Sequence, residues 1–319
     1  MHEFEIINKY FSKLSSNNKS SLNLNDDVFF DKTKKLVISI DTYVEGIHFI
    51  NFKHPDLVIK KILRSSISDL ICKGAKPKYY FISGSGNKKN FSKKNLKIIS
   101  KSLKKEQNKY SIYLSGGDTV FSKKLSFTIT SVGFSNKIVL RNKAKLNDDI
   151  YVTGNLGDSF IGLKVLQKKI KLNKKLMNYF KSKYFHPVLH KNITKKLLLF
   201  ANTSIDLSDG LISDLEKMIN KQKLSYKLYL ERIPISNNLK KLIDLEIIDK
   251  ISSVSCGDDY QILFTATPSK SRIISETSKS LGIKISKIGK ICNFNQKSQI
   301  INEKNKKITV KNKGYFHKF

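Results

Sequence analysis

The chain alternates short apolar runs with longer polar stretches, and the spacing within those runs defines its elements. "LVISI" at 36–40 and "YYFIS" at 79–83 are apolar runs bounded by polar residues, the pattern of buried strands. Between them residues 55–73 read as a helix opened by Pro55, which gives a strand-helix-strand unit. A second helix with Leu96, Ile99 and Leu103 on one face, a strand at 110–114 and an alternating run at 125–134 follow. The polar, turn-rich "RNKAKLNDD" at 141–149 marks a boundary, so two domains are expected, 1–140 and 141–319. The second predicts a strand at 150–154, helices at 158–168, 189–201 and 209–221, strands at 226–231, 260–266 and 284–291, and short strands near 298–310. Strands interleaved with helices make this an α/β chain.

At the N-terminus Phe4, Ile7, Phe11 and Leu14 fit one helical face, and the two early glutamates without an apolar core argue against a signal or transit peptide. No apolar run approaches the ~20 residues that span a bilayer. The three cysteines form no CxxC pair, so a reducing compartment, the cytoplasm, is expected, with no membrane partner.

Charge changes the picture less than its size suggests. With 60 Lys plus Arg against 26 Asp plus Glu the formal charge is +34, which invites a nucleic-acid reading. The lysines, however, are dispersed over helix faces and loops and far outnumber arginine, as on a solvated basic surface. No nucleic-acid partner is expected, and a basic nucleic-acid-binding protein stands as the alternative from a different class.

The scarce acids carry more information. They recur in nearly Lys-free, apolar settings: "NDDVFF" at 25–30, "SIDTYVEGIHF" at 39–49, "SISDLI" at 66–71, "SGGDTV" at 115–120, "SIDLSDGLISDL" at 204–215 and "CGDDYQILF" at 256–264. Such carboxylates either hold hard cations or accept backbone hydrogen bonds at caps and turns. Asp69 lies near the end of an apolar helix, where the macrodipole disfavours an acid. Asp206 is not explained by a helix cap at Ser208 or Asp209. No GxxxxGK[ST] loop or kinase catalytic stretch is present, so a nucleotide would need another scaffold. Acids with Gly-rich turns and no obvious nucleophile suit Mg2+-assisted phosphoryl transfer.

Nine segments in order, "LNDDVFF", "SIDTYVEGIHF", "SDLICKGAKP", "YLSGGDT", "VLRNKAK", "DIYVTGNLGDS", "SIDLSDGLISDL", "CGDDYQILFT" and "KGYFHKF", make the whole chain resemble the thiamine-monophosphate kinases. These belong with aminoimidazole ribonucleotide synthetase and selenophosphate synthetase. The resemblance implies an N-terminal domain with a dimer-forming mixed sheet, a C-terminal α/β domain and a homodimer. It implies ATP-dependent phosphorylation of thiamine monophosphate to thiamine diphosphate with several Mg2+ ions; another ATP-using enzyme of the superfamily is the nearest alternative. By motif, the implied metal ligands are Asp27, Ser39, Ile40 through its backbone, Asp41, Asp69, Asp118, Asp206 and Asp209. ATP contacts are implied at Tyr110, Gly117, Asp118, Arg141 and Ser208, and substrate contacts at His48, Asp258 and Tyr315.

The chain departs from the family's pattern in three places. Asn23 and Asn25 stand where the family reads GIGDD, and Asn is the substitute that best tolerates left-handed angles. "VFS" replaces TRG after "GGDT". Asp258 is one methylene shorter than the family's Glu, which predicts a longer reach and tighter acceptor binding in Asp258→Glu.

Overall fold

A computed structural model describes residues 3–316. Outside the described residues lie the first two residues, the side chain of Phe4 and the His317, Lys318 and Phe319 that close the "KGYFHKF" segment. The first half comprises α1 (Glu3–Ile6), β1 (Phe29–Asp31), β2 (Leu36–Val44), α2 (Pro55–Cys72), β3 (Lys76–Gly86), α3 (Lys93–Tyr110), β4 (Tyr113–Phe121) and β5 (Ser126–Phe134). The second runs β6 (Asp149–Thr153), α4 (Asp158–Leu166), α5 (Lys174–Phe185), α6 (Thr194–Phe200), β7 (Thr203–Asp206), α7 (Leu211–Met218), β8 (Leu224–Tyr229), α8 (Asn237–Asp244), α9 (Lys250–Val254), β9 (Ile262–Ala266), α10 (Ser271–Leu281), β10 (Ile285–Asn293) and β11 (Gln299–Ile301).

Two mixed sheets organise these elements, as the α/β pattern predicts. The first has the order β1-β2-β5-β3-β4, with β3 and β4 parallel and the other pairs antiparallel. The second runs β11-β8-β10-β6-β9-β7, with β11 parallel to β8 and the rest antiparallel.

Helix α2 explains how the sheets are joined. Proline is tolerated at its first turn because the missing N–H needs no partner there. Val58, Ile59, Ile62, Leu63, Ile67 and Leu70 are fully buried, as suits a helix covered on most sides by β2, β3 and β5 in one direction and β7 and α5 in the other. One apolar cluster therefore runs from Tyr43 and Ile129 of the first sheet through Ile62 to Tyr151 and Phe264 of the second.

Several expected elements differ. Helix α3 continues to Tyr110, and Ser111 closes it in the left-handed conformation, so the strand expected at 110–114 begins at Tyr113. The single N-terminal helix is broken after Ile6 into a π turn and a 3-10 turn, and Leu14 is exposed. The hydroxyls of Ser12, Ser15 and Ser16 bond to nearby carbonyls, competing with the helical ladder. Helix 189–201 shortens to α6 behind a 3-10 turn, and helix 209–221 to α7. Of the strands near 298–310, β11 and one bridge between Ile301 and Lys307 form. No helix among the described residues is long and apolar enough to cross a membrane.

Candidate active site

Strand β2, helix α2 and the end of β7 each bring one carboxylate to the junction of the two sheets: Asp41, Asp69 and Asp206. Ser39 Oγ donates to Asp69 Oδ2 at 2.5 Å, and Ser68 Oγ donates to Asp206 Oδ2. Asp41 Oδ2 is shielded from solvent and has no hydrogen-bond partner. Burial pushes Asp41 up to about 7 against the hydroxyls of Tyr43 and Ser66; burial, then the charges of Asp214 and Asp41, pushes Asp206 up to about 7; burial, then Asp41 and Asp206, pushes Asp69 well above the ordinary carboxylate range. Crowded, desolvated acids with an orphaned oxygen fit a hard divalent cation. Among the described residues no three acid, imidazole or thiol groups close into a finished cage, so such an ion would need further oxygens, as phosphate groups supply.

Beside this triad a second acidic pair is already neutralised. Asp26 and Asp27 follow a turn in which Asn23 adopts the left-handed conformation (φ 57°) that asparagine tolerates, whereas Asn25 (φ −118°) needs no such tolerance. Lys73, at the end of α2, sits 2.8 Å from Asp26 Oδ1 and 2.8 Å from Asp27 Oδ2. Arg141 donates its backbone N–H to Asp26 Oδ2 at 2.9 Å, and its guanidinium pairs with both oxygens of Asp27. The acids that lack basic neighbours in sequence thus gain them from distant segments.

The loop 207–210 holds Ser208 and Asp209 and is gripped from two sides. Asp258 N–H donates to Ser208 O at 2.8 Å and Tyr260 N–H to Leu207 O at 2.8 Å. Gly210 and Gly257 make this approach feasible: a Cβ on either would strike the facing loop's backbone. From the other side Tyr315 N–H donates to Asp209 O at 3.0 Å. Asp214 accepts from the Asp209 and Gly210 N–H groups at 3.0 Å each, ordering the entry to α7. Lys217 pairs with both Asp209 and Asp214.

Asp258 lies in the left-handed region (φ 62°). Its Oδ1 accepts from Lys61 Nζ at 2.6 Å and from Tyr260 OH at 3.1 Å. The buried Lys61 ammonium stands 4.0 Å from the centre of the Tyr184 ring, whose hydroxyl donates to His48 O at 3.2 Å. His48 and Asp258 therefore line one aromatic-walled region. Burial pulls the Lys61 ammonium below the usual lysine range, against the pull of Asp258.

Other expected residues lie apart. Tyr110 ends α3 with its ring 5.6 Å from Arg64 and its buried hydroxyl without a partner. Asp118 and Gly117 are on the exposed edge strand β4, where Asp118 Oδ1 accepts from Thr119 N–H at 2.7 Å. Neither Tyr110 nor Asp118 shares a hydrogen bond or ion pair with the carboxylate triad among the described residues. Ile40, opposite Thr130 in the β2–β5 pairing, is exposed. Sequence reasoning missed Lys61, Lys73, Lys217 and Asp26. For Asp26 the paired acids of "NDDVFF" in a lysine-free run were a signal; one lysine among so many was not.

Fold and site together define a class: residues 25–135 match the family model described as AIR synthase related protein, N-terminal domain. A thiamine-monophosphate kinase of Buchnera aphidicola from Schizaphis graminum is 37% identical over 99% of this chain and 98% of its own. That of Haemophilus influenzae is 32% identical over 91% and 89%. The chain belongs to the thiamine-monophosphate kinase family. Its fold superimposes on AaThiL complexed with AMPPCP and TMP with a TM-score of 0.85, at 25% identity over 99% of this chain and 97% of the other. The fold is also that of the hydrogenase maturation protein HypE of E. coli, with a TM-score of 0.68 at 15% identity over 96% of each chain.

Proposed function

We propose that the protein transfers the γ-phosphoryl group of ATP to thiamine monophosphate, forming thiamine diphosphate. The observation that carries this is the buried, mutually close carboxylates Asp41, Asp69 and Asp206, each pushed above the ordinary carboxylate range, beside a loop whose backbone is locked to that of Asp258. The acceptor is itself a phosphate with a second pKa near ~6, so it is ionised at neutral pH and needs no general base. The triad, with Ser39, the Ile40 carbonyl, Asp118 and Asp209, would hold Mg2+, which would supply the positive charge that lets two anionic phosphates approach. Ser208, Gly117, Tyr110, Asp118 and Arg141 orient the nucleotide, and His48, Asp258 and Tyr315 hold the acceptor.

The Lys61 contact reverses the expectation for Asp258→Glu. An added methylene, ~1.5 Å by standard geometry, overshoots Lys61 Nζ, and Glu tolerates the left-handed backbone less well than Asp. Asp258→Glu should raise KM for thiamine monophosphate several-fold with kcat little changed; a lower KM in steady-state kinetics would contradict this.

A homodimer fits the edge of the first sheet. All nine residues of β4 are exposed, among them Tyr113, Leu114, Val120 and Phe121, and an uncovered apolar edge strand is a pairing surface. Light scattering should give twice the chain mass of 36.5 kDa; a monomer at micromolar concentration would refute it. The activity itself is tested by incubating the protein with ATP, Mg2+ and thiamine monophosphate. Absence of thiamine diphosphate, with ATP turnover on another acceptor, would favour a different enzyme of the superfamily. Salt-sensitive nucleic-acid binding without turnover would favour the basic binding protein.

A further inference from the structure

We propose that Lys73 is a resident counter-cation: its ammonium fills the cation position between Asp26 and Asp27, so that this pair takes up no divalent ion and Asp27 serves as a structural anion. The inference rests on the reading that the Asp41, Asp69 and Asp206 triad receives the metal, and it removes Asp27 from the ligands implied by family resemblance.

The coordination of the ammonium is complete. A lysine has three N–H donors and no acceptor. Those of Lys73 meet Asp26 Oδ1 at 2.8 Å, Asp27 Oδ2 at 2.8 Å and the Ser204 carbonyl at 2.8 Å. Its side chain is 0% exposed. The remaining carboxylate oxygens are filled by Arg141, whose backbone N–H takes Asp26 Oδ2 and whose guanidinium takes Asp27. Two cations thus face two carboxylates, and all four oxygens have donors. A divalent ion entering here would have to expel an ammonium with no other carboxylate bonded to it, leaving a buried charge unpaired, which is strongly unfavourable. The triad next to it is the opposite case, with three acids and an oxygen lacking any partner. Lys73 also ties three segments, the turn before β1, the end of α2 and strand β7, so its charge orders the site before any ligand arrives.

Counting bound Mn2+ by electron paramagnetic resonance, with a non-hydrolysable ATP analogue present, tests this. K73M should bind one more Mn2+ per chain than the unaltered protein. Without divalent ions K73M should melt at lower temperature, and Mg2+ should raise its melting temperature more than it raises that of the unaltered protein. Asp27→Asn, nearly isosteric and still able to accept from Lys73, should keep the full Mn2+ count. Equal Mn2+ counts in K73M and the unaltered protein, or loss of one Mn2+ in Asp27→Asn, overturns the inference. If K73M does not fold, the Asp27→Asn count decides. An unaltered protein that binds no Mn2+ would refute the triad as the metal site, and the gain or absence of gain in K73M would still decide the role of Lys73.

Discussion

Asp206→Asn should lower kcat by ~10²–10³-fold, the range typical of losing one well-placed electrostatic contact to a transition state, while making the metal-free protein harder to unfold in urea at pH 8. The two effects have one cause. Asp206 is buried among other acids, and its carboxyl titrates at about 7 in the folded protein against ~3.9 in an unfolded chain. A raised carboxyl pKa favours the protonated folded state, so the penalty is absent near pH 4, grows as pH rises toward 7 and is fully present at pH 8. Asparagine removes that charge and still accepts from Ser68 Oγ. At about 1.4 kcal/mol per pKa unit, the gain at pH 8 should reach a few kcal/mol and vanish near pH 4. Saturating Mg2+ should reverse the ranking, because only the unaltered protein gains the ion's full attraction. Wild-type turnover in Asp206→Asn would remove this residue from the site. A lower urea midpoint at pH 8 would refute the account of buried, unneutralised charge.

The second large effect is expected at Gly257. It has φ 75°, and a Cβ there would collide with the Ser208 carbonyl and the Asp209 backbone. Gly257→Ala should cost about 2–4 kcal/mol, combining left-handed strain with a displaced loop. It should also raise KM for both ATP and thiamine monophosphate, since the disturbed contact joins Ser208 to Asp258. Gly282→Ala is the control: its φ of 61° carries similar strain, but nothing lies within 4 Å of the added carbon. That change should cost only about 1 kcal/mol and leave both KM values alone. Thermal melts and steady-state kinetics on the two variants separate collision from strain; equal losses would show that the loop contact is unimportant.

What the sequence disclosed follows from contrast. Asp41, Asp69 and Asp206 were legible because an acid inside an apolar run has no cheap explanation. Lys73 and Lys217 complete the same site and were invisible, because one lysine in so basic a chain looks like any other until a fold buries it. The limits of α3 were misjudged for a related reason: Tyr110 and Ile112 suit a buried helix end as well as a strand, and the left-handed Ser111 between them decides the matter. Helices α8 and α10 carry their apolar residues thinly among lysines, serines and asparagines, so their faces emerge only when packed. Asp118 and Tyr110 were grouped with the triad by motif alone, and in the single chain they remain apart from it.

The grip of the C-terminal segment on loop 207–210 imposes an order on biosynthesis. Lys313 O accepts from Ser213 N–H at 2.9 Å, Gly314 lies where any side chain would strike Ser213, and Tyr315 N–H holds Asp209 O. A growing chain exposes every carboxylate of the triad roughly a hundred residues before it supplies the segment that fixes the adjoining loop. Nascent chains interrupted by a stalled ribosome or a premature stop codon before residue 313 would therefore carry the acids of the site without its finished geometry. Products that stop short of these residues would lack the grip on loop 207–210, which would form only once residues 313–315 have been translated.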